Sequence, residues 1–471
     1  MLDKFFALSH NKTTVRTELL AGLTTFLTMA YIIFVQPAVL THTPDGGSTG
    51  MDFGAVTTAT CLTAALATLI MGLYARYPIA QAPGMGENFV FVALVAMLIN
   101  SGSATPWQTA LGVVFIAGVL FLALSLLGVR EKMIEMISPS MRNGMAIGIG
   151  LFIAFIGLKN GGLVVGNPAT FVSLDPELGS PDVIIFLTGL LLTAGLHARG
   201  FRGAILWGIL ASLALSVAAR LGLPLLGESI SGSPLVAQSK LMQSFALADS
   251  VVAEPPSLAP TLFAMDLRGA FAVSMIPYIL IFLFMDLFDT LGTLLGVSEQ
   301  AGLIEDDKLP RAKQALMSDA VGTVAGAALG TSTVTSFIES AAGVEQGGRT
   351  GLTAVTTAAL FIVALLFSPV IAMVGSYPPI TAPALVVVGS MMMRNVTKID
   401  WSNYAESVPA FLIVIGIPLT FSIADGLALG FIAYPIIKLI AGQGRDVKWM
   451  MYVMAVLLVA YFLLVRMPTG G

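Results

Sequence analysis

The chain has 471 residues, 56% of them hydrophobic and only 11% charged, and its mean hydropathy is +0.90. That excludes a soluble globular domain, and apolar stretches that repeatedly reach spanning length point to a polytopic membrane protein. The net charge of -4 comes without a basic run or an aromatic-basic patch, which argues against nucleic acid as a partner.

Residues 1–17 place Phe5, Phe6 and Leu8 among Lys4, Lys12 and Arg16, the pattern of a cytoplasmic segment lying along the membrane surface. The first apolar segment begins after Glu18 and runs to about Leu40 without an A-x-A-type cleavage site, so it is expected to be a retained span. Further apolar runs put spans at about 54–74, 83–99, 109–128, 141–158, 182–197, 202–220, 272–298, 314–329, 333–344, 352–375, 381–393, 407–422 and 424–440. With the first, that is fourteen. A last apolar stretch at about 449–465 either crosses the bilayer or lies in its interface. The one cysteine, Cys61, lies in the second span and leaves no disulfide or thiol metal cluster. The many methionines, Met391 to Met393 included, read as packing and not as metal ligands.

The third span opens on AQAPGMGENFVFVALV, where Pro83, Gly84 and Gly86 interrupt the chain before the apolar run. Glu87 and Asn88 then fall in the first helical turn, either to satisfy backbone or to face a ligand; Glu87 could instead pair with a basic group at the membrane surface. Between the seventh and eighth spans lies a Pro-, Ser- and Leu-rich segment, 221–271, expected to be extracytoplasmic.

The eighth span carries MDLFDTLGT. Asp286, Asp289, Thr290 and Thr293 are spaced i, i+3, i+4 and i+7 and share one helix face, with Gly292 and Gly296 nearby. Each carboxylate inside a span costs roughly 2.5–3.5 kcal/mol on insertion scales, so such groups persist mainly where something uses them. The plainer alternative is that Asp286 only hydrogen-bonds a neighbouring helix. The run from Glu299 through Glu305, Asp306, Asp307 and Lys308 to Arg311 and Lys313 reads as a solvated cytoplasmic loop.

The tenth span opens on GTSTVTSFIESAAG. Thr331, Thr333, Val334 and Thr335 favour extended backbone, tolerable in a membrane only where buried in protein or lining a cavity. Two short extended pieces, in the third and tenth spans, are therefore expected to meet near the midplane, each followed by a half-helix whose free N–H groups face a ligand. Ser336 and Glu339 also fit S-x-x-E, a capping box that satisfies the half-helix by itself.

Of the 23 Lys and Arg, a cytoplasmic N-terminus puts eighteen inside and four outside (Lys159, Arg220, Lys240 and Arg268), with Arg466 unassigned. The fold expected is thus an all-α polytopic membrane protein of fourteen transmembrane segments: a cytoplasmic segment 1–17, a first seven-span repeat 18–220, the connecting loop 221–271, a second, inverted repeat 272–440 and a C-terminal segment 441–471 with its apolar helix. Inverted repeats commonly surround a midplane site in secondary transporters.

Four long motifs in order, TTVRTELLAGLTTFLTMAYIIFVQPAVL, APGMGENF, MDLFDTLGTLLGVSEQAGL and GTSTVTSFIESAAGVEQGGRTGLTAV, resemble the azaguanine-type purine permeases of the nucleobase-cation symporter, or nucleobase-ascorbate transporter, superfamily. The resemblance spans nearly the whole chain. It implies a core domain of spans 1–4 and 8–11 moving against a gate domain of spans 5–7 and 12–14, a homodimer in the inner membrane of a bacterium, and proton-driven uptake of guanine, hypoxanthine or adenine. It implies no enzyme activity and no cofactor, the proton being the coupling ion. Carried over residue by residue, the binding asparagine falls on Asn88, the eighth-span acids on Asp286 and Asp289, and the tenth-span glutamate on Glu339. Many members have an apolar residue where this chain has Glu87, a departure that bears on substrate preference.

The chemistry of a purine fits these groups. Carboxylates accept from its N–H edges, while Asn88 and half-helix N–H groups serve its acceptors. Thr335 and Glu87 border the break, and Phe89 or Phe337 could cover a ring face, though both also suit the core. One of Asp286, Asp289 and Glu339 is expected to carry the proton. Alternatives are a xanthine- or uracil-type permease and, further off, an anion transporter or channel of the same architecture. An intramembrane protease is disfavoured, because His10, His42 and His197 lie in end or loop segments and the two aspartates share one helix.

Overall fold

The computed structural model describes residues 2–127, 137–226, 232–301, 303 and 309–461. Among the residues discussed above, Glu305, Asp306, Asp307, Lys308 and Arg466 lie outside the described set, as do 227–231 of the connecting segment and 462–465 of the last apolar stretch. Seven helical segments in it are long and apolar enough to cross a membrane: Val15–Leu40, Phe53–Ala75, Pro106–Leu126, Pro139–Asn160, Pro181–Ala198, Ala204–Leu225 and Gly351–Gly375.

The first segment is not continuous. It consists of α1 (Val15–Met29) and α2 (Ile32–Leu40), parted at Ala30–Tyr31. Pro37 inside α2 lacks the N–H that would continue the ladder. Next come α3 (Phe53–Ile70), started by Asp52, whose carboxylate accepts from Ala55 N at 2.7 Å, then strand β1 (Gln81–Pro83), α4 (Met85–Asn100) and α5 (Pro106–Leu127). The chain continues through α6 (Pro139–Asn160), an antiparallel hairpin β2 (Val164–Asn167) and β3 (Phe171–Leu174), α7 (Pro181–Ala198) and α8 (Ala204–Gly222).

The second half holds α9 (Ile276–Gln300), α10 (Ala312–Leu329), strand β4 (Val334–Ser336) and a short α11 (Ser340–Glu345). Then follow α12 (Gly351–Ala364) and α13 (Ser368–Gly375), separated by a 3-10 turn, α14 (Ala382–Met392), α15 (Tyr404–Thr420), α16 (Ile423–Ile440) and α17 (Trp449–Tyr461). A helix lies on every apolar run read from the sequence.

Four features were not legible in the sequence. The hairpin β2–β3 went unforeseen, because its short alternating strands lie between apolar helices. Phe6 and Leu8 do not face a membrane surface but are buried against Leu352 of α12. The segment read as an extracytoplasmic connection packs on the helices along its described course: Ala253 N donates to Leu366 O at 3.0 Å and Phe263 N to Ala328 O at 2.7 Å. The described part of α17, Trp449–Tyr461, packs one face, including Met451 and Leu458, inward.

The helices pack in two groups. In one, α10 lies against α5 and α3, and α12 against α1 and α3; in the other, α6 lies against α14 and α15, and α15 against α16. Glycine sets the approach in the second: a Cβ on Gly150 would stand 2.9 Å from the Gly389 carbonyl, and one on Gly144 2.9 Å from that of Ala410. The groups meet chiefly where α4 faces α6 and α16 and where α1 faces α8.

Candidate functional site

The two interrupted segments pair. Strands β1 and β4 run antiparallel, with Gln81 opposite Ser336, Ala82 opposite Thr335 and Pro83 opposite Val334. The ladder extends at both ends, through Gly84 N to Thr333 O at 2.9 Å and Phe337 N to Ala80 O at 3.0 Å. Sequence explains both the start and the stop. Gly330 takes φ +107° to end α10, β-branched residues then hold the chain extended, and Pro83 needs no donor at the strand's end. Helix α4 starts directly after β1, with its first N–H groups toward the crossing, whereas α11 does not present the free N–H groups expected of it: the turn Phe337–Glu339 precedes it, and its carbonyls take the N–H groups of Ser340, Ala341 and Ala342 at 3.1, 2.9 and 3.0 Å.

Carboxyls gather around this crossing from α9, α4 and α11. Asp286 is buried, and its Oδ2 accepts from Thr323 Oγ1 of α10 at 3.1 Å. The same Thr323 hydroxyl accepts from Val334 N at 2.9 Å, tying Asp286 to β4. Asp289 accepts from the hydroxyl of Thr335 and, although deep among protein atoms, borders open space. Glu339, half-buried, accepts from the Tyr31 hydroxyl at 2.7 Å. Tyr31 stands at the α1–α2 break, which is what lets its ring enter the site.

The expected polar stripe on α9 therefore splits. Asp286 faces α10, and so does Thr290, whose hydroxyl donates to Asp319 Oδ2 at 2.8 Å. Asp289 faces β4 and the open space. The capping box is not formed: Ser336 lies in β4 and accepts from Gln81 Nε2 at 3.2 Å, while Glu339 occupies the N-cap of α11 without a side-chain cap bond. A strand at Ser336 turns its hydroxyl away from the helix that begins four residues later.

Asn88 is fully buried and already engaged. Gln36 Nε2 donates to its Oδ1 at 3.0 Å, Asn88 Nδ2 donates in turn to Gln36 Oε1, and Ser332 Oγ also donates to Asn88 Oδ1. Gln36 Nε2 reaches Thr331 Oγ1 at 2.9 Å as well. Glu87 is 1% exposed, so it does not pair with a basic group at a membrane surface. Phe89 is buried edge-on to Phe152 of α6 at 5.8 Å between centroids, and Phe337 is buried too. Thr335, opposite Ala82, is the remaining expected site residue that borders Asp289.

Six polar residues of the site escaped sequence reasoning: Tyr31, Gln36, Gln81, Asp319, Thr323 and Ser332. Asp319 is fully buried; it accepts from Gln81 Nε2 at 3.1 Å as well as from Thr290. A lone acid in the apolar helix QALMSDAVGTVAGAAL is the same signal that picked out Asp286. Gln36, the one amide in IIFVQPAVL, is a similar but weaker signal.

A family model named Xan_ur_permease and described as "Permease family" matches residues 16–465. The chain belongs to this xanthine/uracil-type permease family. It is 40% identical over 472 residues to the guanine/hypoxanthine permease PbuG of Bacillus subtilis, covering 99% of this chain and 100% of that one. It is 39% identical over 462 residues to the adenine permease AdeP of Escherichia coli, covering 98% of this chain and 95% of that one. Among solved structures, the transmembrane domain of the cyanobacterial bicarbonate transporter BicA superposes with a TM-score of 0.61 at 15% identity, over 87% of this chain and 97% of that chain. That likeness is one of fold. The permease is thus a multi-pass membrane transporter and not an enzyme, and the paired strands with their ring of acids are its candidate site.

Proposed function

We propose that this permease carries purine nucleobases into the cell by proton-coupled symport, with alternating access between the two helix groups. The observation that carries the reading is the convergence of Asp289, Asp286 and Glu339 with the start of α4 on the β1–β4 crossing, beside the seam between α4 and α6. A neutral base edged with N–H donors and ring acceptors is served by such a set. Asp289, open to space, is the direct ligand of an N–H edge. Glu339 is the second, and the backbone N–H groups at the start of α4 meet the acceptors. Asp286 and Asn88 hold the framework, while Thr335 positions Asp289. Phe337 covers one ring face.

The relatives that are guanine/hypoxanthine and adenine permeases support purines as the substrate class. The two packing groups support a core of spans 1–4 and 8–11 rocking against a gate of spans 5–7 and 12–14, in a layout of fourteen spans as two inverted repeats. The Lys and Arg distribution supports a cytoplasmic N-terminus, and a homodimer in a bacterial inner membrane completes the proposal.

The test is a panel of adenine, guanine, hypoxanthine, xanthine, uracil and bicarbonate, scored by thermal stabilisation of the purified permease, since a ligand bound only by the folded state raises apparent stability. Stabilisation by purines is expected. A response to the anion alone, with silence toward every nucleobase, sinks the reading. Accumulation of the stabilising purine in vesicles, abolished by collapsing the pH gradient, tests the coupling.

A further inference from the structure

The carboxyls around the crossing differ in one respect. Asp286 accepts from Thr323, Asp289 from Thr335, Glu339 from Tyr31, and Asp319 from Thr290 and Gln81. Each has a hydroxyl or amide donor from a neighbouring element. Glu87 is buried to 1% exposure, and its Oε2 has no hydrogen-bond partner among the described residues.

The position of that oxygen is specific. Gly84 and Glu87 are the N-cap and third residue of α4, and the side chain curls back over the break: a Cβ on Gly84 would stand 2.2 Å from Glu87 Oε2 and 3.0 Å from Thr335 Cγ2. The carboxyl therefore lies against the β1–β4 crossing, next to the threonine that serves Asp289. The charged groups that act on it most are Asp289 and Asp286, both acids on α9. Tyr31, Glu339 and Asp319 complete the ionisable groups of the site; Asp289 interacts with both Tyr31 and Glu339.

A second carboxylate beside Asp289 with an unserved, buried oxygen is a poor arrangement for charge and a good one for a neutral acid, whose O–H is itself a donor. We infer that Glu87 is the residue that takes up the coupling proton when the base binds and gives it up on release inside, leaving Asp289 ionised to accept from the base. The step balances simply: carboxylate plus proton gives the carboxylic acid on loading, and the reverse on unloading. This rests on the reading of the permease as a proton-coupled purine carrier, and it moves the proton from the α9 acids and Glu339 to α4.

The experiment measures protons taken up per purine bound by the purified permease in weakly buffered detergent, together with the infrared difference spectrum for base binding. The wild type is expected to take up protons and to gain a carboxylic-acid C=O band that shifts when glutamate alone is isotope-labelled. Glu87→Gln is expected to lose the proton uptake and the pH dependence of base affinity. Glu87→Asp is expected to restore both and to make the band respond to labelled aspartate instead, which reports on Glu87 even if the Gln variant does not fold. Uptake of the same number of protons by Glu87→Gln, or a wild-type band that responds to labelled aspartate, overturns the inference. Failure of the wild type to bind any purine overturns the purine reading instead.

Discussion

The hydroxyl of Tyr31 donates to Glu339 Oε1 at 2.7 Å, and the Thr28 hydroxyl reaches the Glu339 backbone carbonyl at 3.3 Å, so the break in the first span holds the start of α11 in place. Removing the Tyr31 hydroxyl leaves a carboxylate of the site without its donor. Tyr31→Phe is expected to weaken purine binding about tenfold, the equivalent of one hydrogen bond to a charged group. Isothermal titration on the purified variant measures this, and an unchanged affinity would show that Glu339 does not touch the base.

Gln36 is expected to matter for stability before it matters for binding. Its amide bonds Asn88, Thr331 and Ser332 at once, joining α2 to α4 and to the run before β4. Gln36→Leu keeps the volume and strands those partners in a dry interior, a loss of about 1–3 kcal/mol for each buried group left unpaired. The unfolding midpoint without ligand should fall clearly. A variant as stable as wild type that binds less purine would return Asn88 to the role of direct ligand.

Glu18 ends the chain's first charged stretch and was read as the edge of a span, yet it is fully buried and works as a cap in trans. Its carboxylate accepts from Arg349 N at 2.9 Å, Thr350 N at 3.3 Å, Thr353 N at 3.2 Å and Thr353 Oγ1 at 2.6 Å, satisfying the N-terminus of α12. Glu18→Ala should cost about 2–3 kcal/mol, more than an ordinary cap because several donors lose one partner. Thermal unfolding checks the loss. Purine affinity of the folded fraction should stay unchanged, since Glu18 lies outside the site.

How much of this was legible in the sequence divides along physical lines. Composition and run length located the helices, because lipid demands long apolar stretches with internal hydrogen bonding. The breaks at Pro83–Gly84 and Gly330–Thr335 were legible too, since Pro, Gly and β-branched runs act on the backbone locally. What stayed hidden is partnership. Nothing in IIFVQPAVL says that Gln36 reaches Asn88, and S-x-x-E at Ser336 is written identically whether a helix or a strand holds the serine. The partner decides, and the partner is about 255 residues away, in Gln81. Asp319 was missed for a different reason: its signal was present, but it lay outside the motifs that drew attention.

Outside the spans, Asp266 provides a pH-dependent test. The Gly269 N–H, at 3.0 Å, and the Thr105 hydroxyl, at 2.9 Å, hold its carboxyl below the ordinary aspartate value of 3.8. A group lowered in the folded state adds stability above its unfolded value and loses it as pH falls through the folded one. The contribution is therefore present at neutral pH and disappears below 3.8. Asp266→Asn should lower the unfolding midpoint at neutral pH and narrow its gap to wild type in acid. A gap independent of pH would show that the side chain's shape, not its charge, matters there.

The ion pair between α15 and α16 separates two meanings of a buried salt bridge. Lys438 Nζ and Glu406 Oε1 stand 2.8 Å apart, with side chains 6% and 14% exposed; Tyr434 OH donates to the same Glu406 oxygen at 3.2 Å, and Lys438 reaches Gln443 Oε1 at 3.0 Å. Removing one partner leaves the other charge buried, a loss of about 3–5 kcal/mol, whereas replacing both with neutral groups of similar size is often close to neutral. Lys438→Met alone should therefore destabilise the permease strongly, and Lys438→Met with Glu406→Gln should recover most of the loss. If the double variant stays as unstable as the single one, the pair does more than neutralise itself: its geometry then fixes the packing of α15 on α16, and transport assays on the double variant should show slowed exchange even when binding is intact.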